Sequence, residues 1–160
     1  MSLKIRSAVS GDAAIVLQFI RDLAVYEKLG HAAVASVADI DRALFCDSPK
    51  VFALIAEWEG KPCGLALYFF NFSTFLGKHG VYLEDLFVPE KDRGKGIGKA
   101  LLVRLAQIAK ENDCGRLEWS VLDWNAPSIA FYKSLGAAAM DEWTIYRLTG
   151  DALSRLAGEK

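Results

Sequence analysis

The residues of this chain best suited to chemistry concentrate between positions 82 and 98, YLEDLFVPEKDRGKGIG. Glu84 and Asp85 stand in an apolar strand pattern; a short turn follows, and Gly94, Gly96 and Gly98 open a helix beside Arg93 and Lys95. A helix N-terminus offers unpaired backbone N–H groups and partial positive charge, so it attracts phosphate, and glycines let phosphate approach. The same composition also suits a flexible strand-to-helix loop whose charges serve solubility. Counting excludes two phosphate motifs. A P-loop needs glycine where Arg93 stands and Ser or Thr where Ala100 stands, and a dinucleotide fingerprint needs G-x-G-x-x-G where this chain has G-x-G-x-G.

The elements that must position these groups can be read in order. Residues 3–8 alternate as a strand, and Ser10 stands as N-cap of a helix through Lys28 with Val16, Phe19, Ile20 and Leu23 on one face. A second helix covers residues 37–45, ended by Ser48-Pro49. Residues 51–58 and 63–70 form a hairpin about Glu59-Gly60-Lys61-Pro62, and a loop with Ser73, Thr74 and Gly77 leads to a strand over 81–88. The glycine-opened helix runs to about Asn112, with Leu101, Leu105 and Ile108 apolar on one face, and a strand follows over 116–122. Asn125 caps a short helix with Pro127 in its first turn and Gly136 at its end; two final strands are expected at 137–140 and 143–148. This order predicts an α/β fold with helices on both faces of the sheet.

Arg93, Gly96 and Gly98 make an Arg-x-x-Gly-x-Gly pattern that resembles the coenzyme A loop of the GNAT N-acetyltransferase superfamily. Tyr26-Glu27, Tyr82-Leu83-Glu84-Asp85, and Trp124-Asn125-x-Pro127-Ser128-Ile129-x-Phe131-Tyr132-Lys133 with Gly136 extend the likeness over essentially the whole chain. Those motifs look like the diamine branch, spermidine/spermine acetyltransferase and its thialysine-acetylating relatives. The resemblance implies a GNAT fold with a mixed, mostly antiparallel sheet of six or seven strands and acetyl-coenzyme A as cosubstrate. In that family a bulge interrupts the strand before the glycines, and its backbone hydrogen-bonds the pantetheine arm. By position those groups belong to Leu86, Phe87 and Val88.

Acetyl transfer to an amine requires a deprotonated nitrogen, a polarised thioester and a proton for the departing thiolate. By resemblance Glu84 takes the amine proton through water, and Tyr132 is the acid near the sulfur. In a regular strand Glu84 and Asp85 face opposite sides, leaving Asp85 to hold a loop, the substrate or a partner chain. The coenzyme set is Leu86, Phe87, Val88, Arg93, Gly94, Lys95, Gly96, Ile97, Gly98, Lys99, Asn125, Ser128 and Tyr132. Tyr26, Glu27, Ser73, Thr74, Phe75, Glu84, Asp85 and Trp124 are candidates for the amine pocket. The polyamine enzyme has an acid where this chain has Ser73-Thr74, and tryptophan where it has Phe75. A small primary amine such as thialysine, a lysine analogue or a short diamine is therefore the expected acceptor, with polyamines or protein amines as alternatives. A coenzyme-binding interaction module is the non-enzymatic alternative; Glu84 and Tyr132 together argue against it.

The 160 residues suffice for one domain, 1–160, and 52% hydrophobic content supports a sizeable core. The net charge of -1 gives no general pull toward nucleic acid or membrane. Cys46, Cys63 and Cys114 lack paired spacing, and His31 and His79 are too few for a site, so no metal is expected. With no leader-like opening and no long apolar run, the expectation is a soluble cytoplasmic protein. Resemblance adds a homodimer.

Overall fold

β1 (Leu3–Ser7) pairs antiparallel with β2 (Phe52–Trp58), β2 with β3 (Lys61–Ser73), and β3 with β4 (Lys78–Phe87). β4 then runs parallel to β5 (Leu117–Trp119), giving a mixed sheet in the order β1-β2-β3-β4-β5. The computed structural model describes residues 2–160, which form two compact units, 2–122 and 123–160. The β2–β3 hairpin closes through Glu59 and Gly60, with φ of 51° and 79°. Two positive φ values over a two-residue loop match the right-handed twist of the flanking strands.

Helices cover both faces of this sheet. α1 (Ala13–Tyr26) and α2 (Val37–Phe45) place Val16, Phe19 and Leu44 against Ala53, Ile55, Leu65, Leu67 and Phe87. α3 (Ile97–Glu111) covers the opposite side. A methyl group on Gly64, the residue beside Leu65, would meet Ile97 at 3.1 Å and Leu101 at 3.3 Å, so the glycine lets α3 lie close to β3. Leu101 and Leu105 are fully buried there.

Three expectations are corrected. α1 begins after Asp12 rather than Ser10. The Asp12 carboxylate accepts hydrogen bonds from both terminal nitrogens of Arg6 (2.7 and 3.2 Å) and from the Val9 N–H (2.7 Å), a clamp that fixes the β1–α1 turn. Those donors, the Arg6 bonds foremost, hold its carboxyl below the ordinary carboxylate range despite burial. β3 continues to Ser73 and β4 starts at Lys78, so the expected loop is a tight hairpin tip.

Among the described residues the sheet, finally, has five strands, not six or seven: β5 is only three residues long, and neither 137–140 nor 143–148 forms a strand. Alternating side chains make a segment compatible with a sheet, but a strand forms only where another backbone pairs with it. The second unit holds α4 (Ala126–Ser134) and α5 (Gly150–Leu156), the latter not foreseen from the sequence.

Candidate active site

β4 carries the feature that organises the first unit's part of the site. Leu83 pairs with Tyr68 and Asp85 with Leu67, so Glu84 is an extra residue in the ladder, a β-bulge. Alternation is broken there. Asp85, opposite Leu67, lies on the face covered by α1 and α2, whereas Glu84 is exposed. Burial, then the neighbouring Glu84 and Glu27 carboxylates, push Asp85 up to about 6. Burial also raises Glu27. The first unit thus gathers Glu27, Glu84 and Asp85 into one acidic group, which favours a cation near it.

The bulge coincides with a parting of the sheet. β5 pairs with β4 only at Val81, Tyr82 and Leu83, while β3 continues beside it to Phe87. The ladder with β5 therefore stops before Leu86 and Phe87, leaving that edge of β4 without an adjoining strand among the described residues. An extended chain bearing amides could add there as a strand adds to a sheet edge.

Beyond that edge lies the glycine turn. A short 3₁₀ turn, Glu90–Asp92, leads into it, and Gly96, at φ 77°, caps α3. Gly94 has φ 79°, and a methyl group on either glycine would meet nothing within 4 Å. Open space before the exposed N–H groups of a fifteen-residue helix fits a pyrophosphate. Ile97 is buried and anchors the turn, while Lys99 is exposed. Arg93 donates from Nε to the Val88 carbonyl (3.0 Å), and its guanidinium lies 4.9 Å from the Tyr26 ring centre. Lys95 pairs with Asp92 (3.1 Å) and lies 5.3 Å from the Trp58 ring centre. Asp92 and Trp58 were missed in the sequence. The i,i+3 spacing of Asp92 and Lys95 was a legible signal, but Trp58 comes from a distant strand.

Ser73, Thr74 and Phe75 occupy the β3–β4 tip. Ser73 is buried and its Oγ accepts from the Leu76 N–H (3.2 Å), whereas Thr74 is exposed and Phe75 is 98% exposed. The three residues do not share one environment. Ser73 holds the turn, and the other two stand in solvent.

In the second unit, Asn125 caps α4 as expected, its side-chain oxygen accepting from the Ser128 N–H (3.4 Å), and Gly136 terminates it at φ 87°. Tyr132 stands half-buried beside Phe131, with ring centres 5.6 Å apart. Lys133 is exposed, and Trp124 is 48% exposed just before the cap. Cys63 and Cys114 are buried free thiols and Cys46 an exposed one. No cluster of three or more His, Cys, Asp or Glu residues suited to a metal occurs among the described residues.

A bulged strand, a parted sheet and a glycine turn follow one another along β4 and into α3, an order that would suit a phosphate-bearing, amide-containing ligand. The family model described as acetyltransferase (GNAT) family matches residues 20–137. The chain belongs to the GNAT acetyltransferase family. It is accordingly an N-acetyltransferase, and enzymes of this family draw their acetyl group from acetyl-coenzyme A. Thialysine N-epsilon-acetyltransferase of Bos taurus is 36% identical to it over 97% of both chains. L-ornithine N5-acetyltransferase of Arabidopsis thaliana is 31% identical over 98% of this chain and 88% of its own length. Among solved structures, an integron cassette protein from the mobile metagenome of V. cholerae superposes with a TM-score of 0.83 at 32% identity, covering 98% of each chain. None of the described helices is long and apolar enough to cross a membrane.

Proposed function

We propose that this GNAT enzyme acetylates the terminal primary amine of a small amino acid or short diamine of the thialysine, lysine-analogue or ornithine kind. The observation that carries the reading is the parted β4 edge, running from the acidic bulge into the glycine turn. It supplies, in order, an ammonium site, a strand-like seat for pantetheine and a pyrophosphate cradle. The backbone of Leu86, Phe87 and Val88 would hold the arm. The turn of residues 93–99 would hold the pyrophosphate, and Asn125 and Ser128 the remaining polar groups.

In this reading Glu27 and Asp85 attract the ammonium form of the acceptor, with Tyr26, Trp124 and the hairpin tip as walls. Glu84, exposed at the bulge, takes the proton through water. The free amine attacks the thioester carbon, the carbon–sulfur bond breaks, and Tyr132 gives its proton to the departing thiolate. As the amide forms, the nitrogen's second proton passes through water to the Tyr132 phenolate and restores it, while Glu84 returns its proton to solvent; the products are the acetylated amine and the free thiol. A second reading makes Asp85 the base, because its proton affinity lies closer to neutrality than that of an ordinary aspartate. The cytoplasmic setting and the homodimer implied by the resemblance belong to the same proposal.

Two relatives whose names specify the distal amine of an amino acid support this acceptor class. The exposed Thr74-Phe75 tip, with no acid to hold a second ammonium, weighs against long polyamines. Steady-state thiol release should show higher kcat/KM for thialysine, lysine analogues or ornithine than for spermidine or spermine. A clear preference for spermine would sink the acceptor assignment. Acetyl-coenzyme A binding without amine-dependent release would favour the binding module instead.

A further inference from the structure

Arg93 and Lys95 flank the first glycine of the turn before α3, and each lies against an aromatic ring from another element. The two cations are not equivalent. Lys95 is paired with Asp92 at 3.1 Å, which offsets its charge, whereas Arg93 has no acidic partner among the described residues. Arg93 is held instead by one carbonyl and one ring. Its Nε donates to Val88 (3.0 Å), and its guanidinium carbon lies 4.9 Å from the centre of the Tyr26 ring. A guanidinium has several N–H donors and a weakly hydrated face, so a ring can take the face and a carbonyl one donor while the rest stay available to an anion.

The place of Tyr26 follows from the packing of α1. Phe19 and Tyr26 are seven residues apart, so they share a helix face with Leu23 between them. The Phe19 ring lies 6.3 Å from that of Phe87, the last residue of β4, and Leu23 and Tyr26 pack against the same core. Contacts therefore advance together along the two segments, from Phe19 on Phe87 to Tyr26 on Arg93. The next residue, Glu27, acts on the buried Asp85 carboxyl. The end of α1 thus meets the glycine turn with one side chain and the acidic group with its neighbour.

We infer that Tyr26 is a positioning residue for the coenzyme: its ring seats the Arg93 guanidinium, and through the Arg93–Val88 bond it fixes the chain between β4 and α3 in the shape that receives a pyrophosphate. The inference rests on the coenzyme reading above, and it gives a wall of the acceptor pocket a second role toward the other substrate. Without the ring, the exposed arginine would spread over many rotamers, and the cost of ordering it would fall on coenzyme binding. With the ring, that order exists beforehand. The role requires the aromatic face and not the hydroxyl. A residue that served only the acceptor would act on the amine's KM; a seat for Arg93 acts on the coenzyme's.

Calorimetry with coenzyme A and no amine separates the two. Tyr26→Leu keeps an apolar side chain against the core and should raise the coenzyme Kd about two- to fivefold, the range of an exposed cation–π contact. Tyr26→Phe keeps the ring and should bind as wild type does. In an Arg93→Met background, Tyr26→Leu should add nothing further, because the group it seats is already gone. In steady state, the KM for acetyl-coenzyme A should rise in Tyr26→Leu and return to the wild-type value in Tyr26→Phe. An unchanged Kd in Tyr26→Leu overturns the inference. So does a loss that Tyr26→Phe shares, or one that persists undiminished in the Arg93→Met background. A wild-type chain that does not bind coenzyme A overturns the coenzyme reading, and this inference with it.

Discussion

Asp85 has a measurable thermodynamic signature because its proton affinity differs between folded and unfolded chains. Its pKa rises from 3.8 to about 6, so between those values the folded protein binds more protons than the unfolded one. Stability therefore falls as pH rises through that window, and above it the charged carboxylate costs roughly 2–3 kcal/mol. Asp85→Asn should accordingly be more stable than wild type above pH 6, the advantage narrowing as pH falls toward 4; urea denaturation at pH 8 and pH 4.5 would show the narrowing. Equal stability at pH 8 would mean that the carboxylate is not desolvated. Tyr132→Phe should lower kcat by ~10²-fold or more with coenzyme affinity little changed, the pattern of a lost positioned acid. Wild-type turnover in that variant would assign Tyr132 to packing against Phe131.

Among the elements, the turn before α3 makes the most specific demand on sequence. Gly96 has a left-handed backbone and open space at its missing side chain, so conformation and charge can be separated there. Gly96→Glu should weaken coenzyme binding more than ~10-fold, whereas Gly96→Asn, which tolerates the left-handed region, should retain most of it. Equal affinities by calorimetry would remove this turn from the phosphate site. The glycines, the Asn125 cap, the Gly136 stop and the boundaries of α2 were legible in the sequence because they are local. The bulge position was not legible, since Tyr82-Leu83-Glu84-Asp85-Leu86 reads as one strand until the register with Leu67 and Tyr68 is known. Asp12 displaced Ser10 as the start of α1 for a similar reason: its partner Arg6 lies on β1, outside any helix-start pattern. Neither C-terminal strand forms: Ala-Ala-Ala-Met at 137–140 carries no alternation, and the β-suited residues of 143–148 name a preference and not a neighbour.

At the scale of the whole molecule, the cores and the proposed site draw on different parts of the same sheet. The cores on its two faces, Val16, Phe19, Ile55 and Leu65 on one and Leu101 and Leu105 on the other, require nothing of the acids in β4. The order of the strands explains why most of the fold was readable: β2, β3 and β4 are consecutive neighbours joined by short turns, whereas β1 and β5 join them across longer helical connections. The bulge at Glu84 also has an evolutionary meaning. Removing that one residue would let Leu83 and Asp85 follow each other opposite Tyr68 and Leu67 in an unbroken ladder, with every side chain still on its present face. A three-nucleotide deletion in the gene should thus yield a folded protein within about 1 kcal/mol of wild type, or more stable, whose acetyl transfer falls by ~10²-fold or more. Retained activity in that variant would mean that neither Glu84 nor the bulge serves the reaction. If activity is lost while the fold persists, selection on catalysis and not on folding keeps this codon in place, an inherited interruption that the sheet could do without.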